Sequence, residues 1–299
     1  METLGTIGIT LGDPAGIGPE IIRAALASGE LDPRFRYRVL GDPGHTVPGQ
    51  PTPESARAAV AALEEAARLA MAGEIDAVVT GPIHKAHSQA AGFAFPGQTE
   101  FFAARAGVDN FAMLLTGGKI TVALVTIHVP LADVPRLVTA NEIERVGSLL
   151  AEFLTLRLGS ARPARIAVAG LNPHAGESGA MGREEIDTIA PAVARLAAQW
   201  RGRAEFTGPV SPDTLFFRAA GGEFDGELCM YHDQGLIPLK LQGFDEGVNV
   251  TLGLPFVRTS PDHGTAFEIA GRGLARPASM LAALRLAGEL AAARKRSVG

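Results

Sequence analysis

The feature that most constrains this 299-residue chain is alternation. Short runs rich in β-branched and apolar residues lie at 6–10, 36–40, 75–80, 120–127, 165–169 and 227–231. Between them come longer, Ala-rich segments whose apolar residues recur at helical spacing. The clearest is 53–72: Thr52 is placed as an N-cap and Pro53 at the first helical position. Val60, Leu63, Ala67 and Ala70 form one stripe, and Gly73 ends it. Segments 141–157 (Ile143, Val146, Leu150, Phe153), 183–200 and 277–292 have the same pattern. Strand and helix in alternation call for a largely parallel sheet flanked by helices, an α/β fold. Length gives a prior of about two domains, and a mid-chain insertion would leave both termini in the first. The 36 glycines and 20 prolines have no collagen-like period and supply tight connections, most densely across 41–53.

Charge and cysteine content remove several classes of function. Lys and Arg number 27 against 32 Asp and Glu, and the longest basic run is Arg294-Lys295-Arg296. Nucleic-acid binding needs concentrated cations and is not expected. A single cysteine, Cys229, excludes an intramolecular disulfide or a thiolate metal cluster and suits a reducing compartment. The opening METLGTIGITLGD has an early acid and no basic stretch, so no secretory leader is expected. Nothing approaches the apolar length of a membrane span. The expectation is a soluble, cytoplasmic protein.

Three of the seven histidines follow apolar runs: His128 after TVALVTI, His174 after RIAVAG and the turn LNP, and His232 after ELCMY. In open α/β sheets, ligands bind outside the carboxyl ends of strands. Three imidazoles at three such ends could share one divalent ion, with Asp213 and Asp233 beside them. Each alone also reads as a hydrogen-bonded loop histidine. GDPAGIGPE (12–20) is a strand-to-helix turn, lacks the GxGxxG pattern, and carries acids that oppose a phosphate. NPHAGESG (172–179) offers glycines and a serine for close approach to an anion. TGPIHKAH (80–87) presents Lys85, either a helix-start residue or a catalyst. Lys240, Asn249 and Arg258 are polar groups set among apolar ones, and Arg258 reads equally as an anion fork or a structural ion pair.

GDPAGIGPE, TGPIHK, GQTEFF, NPHAGESG, GPVSPDTLF, MYHDQG and VNVTLGLPFVRTSPDHGTA, in order from residue 12 to 266, resemble the 4-hydroxythreonine-4-phosphate dehydrogenase family of vitamin B6 biosynthesis. The resemblance implies two α/β/α domains like those of isocitrate and isopropylmalate dehydrogenases, set at 1–97 plus 265–299 and at 98–264. It implies a homodimer with its active site at the subunit interface. It implies a divalent metal (Zn, Mg or Co) on His128, His174 and His232. Substrate would be held by Gln98, Thr99, Lys240, Asn249 and Arg258, with Lys85, Asp213 and Asp233 as catalytic candidates. The stretch HGTAFEIAGRG is similar to the cofactor-adenosine loop of the wider dehydrogenase group, which assigns NAD or NADP contact to His263, Gly264, Thr265 and Gly271. The implied reaction is oxidation of 4-(phosphooxy)-L-threonine, a small phosphorylated hydroxy amino acid, with decarboxylation to 3-amino-2-oxopropyl phosphate.

Two departures stand out. Gln98 occupies a position where the family has His; it can donate a hydrogen bond but cannot become cationic. The stretch before Pro53 is also short, which implies a trimmed outer edge. The alternatives are a related dehydrogenase acting on phosphorylated threonate or erythronate, or on a cis-dihydrodiol carboxylate, and a metal-dependent phosphatase or other hydrolase.

Overall fold

The structure, a computed structural model, describes residues 3–298. They divide into two compact units, one running to Asp109 and resuming at Val248, the other Asn110–Gly247. In chain order the first unit supplies β1 (Gly5–Thr10), α1 (Gly18–Ala27), β2 (Phe35–Leu40), α2 (Pro53–Met71), β3 (Ala77–Thr80), α3 (Lys85–Ala90) and α4 (Gln98–Ala106). The second supplies β4 (Ala112–Gly117), β5 (Ile120–Leu124), α5 (Val134–Leu137), α6 (Ala140–Leu158), β6 (Ala164–Ala169), α7 (Ala190–Gln199), β7 (Ala204–Val210), α8 (Pro212–Ala220), β8 (Gly226–Cys229) and α9 (His232–Gly243). The chain then returns to the first unit as β9 (Val248–Leu252), β10 (Val257–Pro261) and α10 (Ala278–Val298). The expected boundaries at 97/98 and 264/265 differ from these. Helix α4 packs on α2, and β10 pairs with both β3 and β9, so 98–109 and 248–264 stay with the first unit.

In the first unit the strands run β2-β1-β3-β10-β9, parallel except for β9 against β10. All four residues of β3 are buried. Successive side chains point to opposite faces, so both faces of this sheet are covered, as a parallel sheet requires. Ile7, Ile9, Leu63, Leu69 and Leu284 are among its buried side chains. Helix α2 starts as its sequence dictates. Thr52 Oγ1 accepts from Ser55 N and Ser55 Oγ accepts from Thr52 N, both at 3.1 Å, a reciprocal capping box.

In the second unit the order is β4-β5-β8-β6-β7, with only β4 antiparallel to its neighbour. Leu236 and Leu239 of α9 pack with Val122, Leu124 and Cys229 on one face. Leu150 and Leu154 of α6 lie over Gly226 on the other. Gly235 lets the helix sit close: a Cβ there would be 3.1 Å from Cys229 Sγ and 3.2 Å from Leu124, tighter than ordinary contact. The expected strands at 120–127 and 227–231 are shorter as ladders, yet Val125 N donates to Cys229 O (2.9 Å) and Thr126 N to Met230 O (3.2 Å). The expected helix at 183–200 begins with a π-helical turn, Glu185–Ile189, before α7.

Candidate active site

The second unit brings the three strand-end histidines onto neighbouring strands. His128 follows β5, His232 opens α9 directly after β8, and His174 follows β6; β5-β8-β6 are adjacent and parallel. Gln234 ties two of these ends together. Its side-chain oxygen accepts from Met230 N and its amide donates to Gly170 O, both at 2.7 Å and buried. The rings of His128 and His232 have centroids 5.5 Å apart. Two imidazoles sharing an ion at about 2.0–2.1 Å per nitrogen would have centroids about 5 Å apart, so this pair fits joint ligation. His232 Nδ1 is bonded to Asp233 Oδ1 at 2.7 Å, which leaves Nε2 as the nitrogen that could face a ligand.

His174 is presented differently. It starts a run of five residues with positive φ: His174 48°, Ala175 49°, Gly176 81°, Glu177 41° and Ser178 57°. Its Nδ1 lies 2.6 Å from Glu177 Oε1. The Glu177 hydrogen bond and charge, with Asp213 adding a smaller contribution, raise the His174 pKa above the usual imidazole value. Within the described residues of one chain, no group of three His, Cys, Asp or Glu side chains is disposed to hold an ion. The expected trio is therefore assembled here only as the pair His128 and His232. The left-handed turn gives His174 its own carboxylate partner. The donor chemistry still suits a divalent cation, since His174 and His232 both have Nδ1 on a carboxylate and Nε2 left over.

Asp233 and Asp213 are both exposed; the first holds His232, and the second accepts from Ser211 Oγ at 2.7 Å. Lys240 lies in α9, its ammonium 5.9 Å from the Phe244 ring centroid.

The first unit contains a buried cation. Arg258, on β10, is 3% exposed and all its bonded partners are neutral. Its terminal nitrogens donate to Thr251 Oγ1 (3.2 Å), Thr80 Oγ1 (2.7 Å) and Gln98 Oε1 (3.0 Å). Its Nε has no partner, and the nearby buried Asn249 Oδ1 of β9 has none either. Burial brings its pKa down to about 10, partly opposed by the charge of Glu100. A buried guanidinium with a spare donor fits an anionic ligand better than it fits a structural ion pair. Gln98 is committed on both sides, since its amide also donates to Gly81 O at 3.2 Å. Thr99 is buried, its hydroxyl 3.5 Å from that of Thr251.

The 263–271 loop lies on the turn before α1: Thr265 O accepts from Ile17 N at 2.9 Å, and Thr265 is buried. His263 Nδ1 is 3.2 Å from Gly264 O, while its Nε2 is buried without a partner. Gly264 is exposed, and Gly271 has φ 74° against Pro48. Lys85 is exposed at the start of α3. Sequence reasoning did not single out Thr80 and Thr251, the acceptors for Arg258, or Gln234 and Glu185, which organise the histidine-bearing ends. Thr80 ends an apolar run beside TGPIHK, a usable signal. Glu185 in REEID looks like any solvated helix start.

The fold is shared with an isocitrate dehydrogenase from Methylococcus capsulatus, at TM-score 0.53 and 17% identity over 98% of this chain and 89% of that one. Residues 27–287 match the family described as pyridoxal phosphate biosynthetic protein PdxA. A 4-hydroxythreonine-4-phosphate dehydrogenase from Desulfosudis oleivorans is 45% identical across 327 aligned positions, covering 96% of each chain. The crystal structure of the 4-hydroxythreonine-4-phosphate dehydrogenase from Klebsiella pneumoniae superposes with TM-score 0.80 at 38% identity, over 96% of this chain and 99% of that one. An α/β fold of the isocitrate-dehydrogenase type thus defines the class. Within it, the chain belongs to the PdxA family.

Proposed function

We propose that this chain oxidises 4-(phosphooxy)-L-threonine with NAD⁺ or NADP⁺ and that loss of CO₂ then yields 3-amino-2-oxopropyl phosphate. Alongside family membership, the observation that carries this reading is Arg258, a buried cation whose partners are all neutral and whose Nε is unbonded. Thr80, Thr251 and Gln98 fix two of its nitrogens and leave Nε to grip an oxygen of the phosphate or carboxylate. Thr99, Asn249 and Lys240 complete the polar contacts to substrate. Such anchoring holds the reacting hydroxyl in one geometry, which lowers the entropic part of the barrier.

His128, His174 and His232 would hold the divalent ion. Its chemistry is Lewis-acid polarisation of the substrate hydroxyl, then of the ketone formed from it. Asp233 keeps His232 in the tautomer that presents Nε2. Asp233, whose Oδ1 holds His232, and the exposed Lys85 are the two candidates to accept the hydroxyl proton, Lys85 only in its neutral form. A bound nicotinamide cofactor would supply the hydride-accepting chemistry; the β-keto acid formed by the oxidation loses its carboxylate as CO₂, and a proton takes its place on the same carbon. The 263–271 loop would hold the adenosine end of the cofactor.

We read the active form as a homodimer. Ile237 and Leu241, one turn apart on α9, are 59% and 84% exposed, and Phe244 just beyond the helix end is 69% exposed, apolar side chains of the kind a second copy covers. No helix among the described residues is long and apolar enough to cross a membrane, and the lone, buried Cys229 suits the reducing cytoplasm. The test is formation of NADH or NADPH and CO₂ from 4-(phosphooxy)-L-threonine, with phosphorylated threonate, phosphorylated erythronate and a cis-dihydrodiol carboxylate run in parallel. Turnover of the first above the others is expected. Reduced cofactor from another substrate alone, or none at all, overturns the reading.

A further inference from the structure

We propose that Glu185 is a positioning residue for His174, clamping the left-handed turn that presents this imidazole. The inference rests on the reading of His174 as a ligand of the divalent ion. It goes further in naming a residue outside the ligand set that sets the site's geometry.

Left-handed backbone is unfavourable for residues with a Cβ, and it persists only where surrounding contacts over-determine it. Four of the five positive-φ residues from 174 to 178 carry a Cβ. The contacts that override this preference converge on one side chain. Glu185 is only 3% exposed, and among the described residues its bonded partners are neutral amides. Its Oε1 accepts from Leu171 N at 2.7 Å and from Asn172 N at 2.8 Å, the two amides that lead into the turn. Its Oε2 accepts from Asn172 Nδ2 at 2.9 Å, and Glu184 Oε2 takes a further bond from the same amide at 2.7 Å. The turn then folds back over this carboxylate. A Cβ at Gly176 would come within 2.5 Å of Glu185 Oε2, so residue 176 has to be glycine for the clamp to close.

Glu185 also opens the π-helical turn Glu185–Ile189, where the widened ring displaces side chains from regular α register. Such turns recur at functional sites. Buried Glu185, with half-buried Asn172 and Glu184, thus brackets the backbone leading into His174 while making no bond to the imidazole itself. Glu185 acts through the backbone, and what it fixes is the direction in which His174 Nε2 points.

The experiment compares wild type, Glu185→Ala, Glu185→Gln, Asn172→Ala and His174→Ala. Co²⁺ affinity is measured by calorimetry, amide exchange of segment 170–179 in metal-free protein by mass spectrometry, and folding by thermal melts. Glu185→Ala is expected to lose exchange protection at 171 and 172 and to bind Co²⁺ about 10- to 100-fold more weakly, the usual effect of removing a group that orients a ligand. Glu185→Gln should recover most of both, because its amide oxygen still accepts the two backbone N–H groups. A merely structural role predicts a lower melting temperature with unchanged Co²⁺ affinity, and that result overturns the proposal. Should Glu185→Ala not fold, Asn172→Ala carries the test: several-fold weaker Co²⁺ binding supports the clamp, and wild-type affinity refutes it. Wild-type affinity in His174→Ala overturns the ligand reading and this proposal with it. Wild-type affinity in Glu185→Ala alone overturns only the proposal.

Discussion

Arg258 and Glu227 are both buried ionisable groups with no counter-charge bonded to them, and they are expected to respond in opposite ways to removal. Burying an unpaired guanidinium costs several kcal/mol. That cost is tolerated at Arg258 if an anion arrives in function. Arg258→Met should leave the melting temperature equal or higher, while KM for the phosphorylated substrate rises at least about 100-fold, the scale of a lost charge-assisted pair. Thermal melts and steady-state kinetics on one preparation test this, and a lower melting temperature with unchanged KM would assign Arg258 to structure. Glu227 has no such ligand. On β8 its Oε2 accepts from Thr121 N at 3.1 Å, and among the described residues its Oε1 has no partner. Burial, with a smaller push from the charge of Asp225, raises its pKa to about 8 against the opposing Thr121 bond. Between pH 4.5 and 8 the unfolded chain has released this proton while the native chain still holds it, so stability falls as pH rises through that window. Glu227→Gln should therefore match wild type near pH 4.5 and be more stable at pH 8 by on the order of 3 kcal/mol, read from denaturant midpoints.

Helices α2 and α9 mark the limits of what the sequence makes legible. In α2 every local signal agrees: cap, N1 proline, apolar stripe and terminating glycine. Removing the cap hydroxyl in Thr52→Ala should cost about 1 kcal/mol in chemical denaturation, the usual worth of an N-cap. Helix α9 hides itself. Gly235 and Pro238 break its helical signature, and its exposed apolar positions obscure the contrast between a buried and a solvated face. The strand-end histidines were visible because an apolar run that stops at an imidazole is a local pattern. The Glu185 clamp was not, because nothing local distinguishes a buried carboxylate from a solvated one when its partners lie thirteen and fourteen residues back. Gln98 stood out as a departure from its family, but its engagement with Arg258, 160 residues away in sequence, is a tertiary fact.

For the whole molecule, the apolar stripe on α9 makes a testable claim about assembly. Leu241→Asp introduces a charge at its most exposed position. Light scattering after size exclusion should give a dimer for wild type and a monomer for the variant, with far-UV circular dichroism unchanged. A wild-type monomer, or a variant that remains dimeric, would remove the stripe from the interface. The outer face of the same unit formed by α6 and α7 carries ion pairs such as Arg195 with Glu144 (2.7 Å) and Arg145 with Glu142 (2.7 Å), which suit permanent contact with water.

The chain leaves the first unit at Asp109 and re-enters it at Val248. During synthesis, residues 110–247 emerge as one continuous stretch with all of their own strands present. The earlier unit must wait for the C-terminal segment to bring β9, β10 and α10. Until then β3 has no β10 beside it, and Thr80 and Gln98 have no guanidinium to receive. A ribosome that stops before residue 248 therefore releases a histidine-bearing unit with its own sheet and a three-stranded remnant of the other, in which the buried guanidinium that organises Thr80 and Gln98 is still missing.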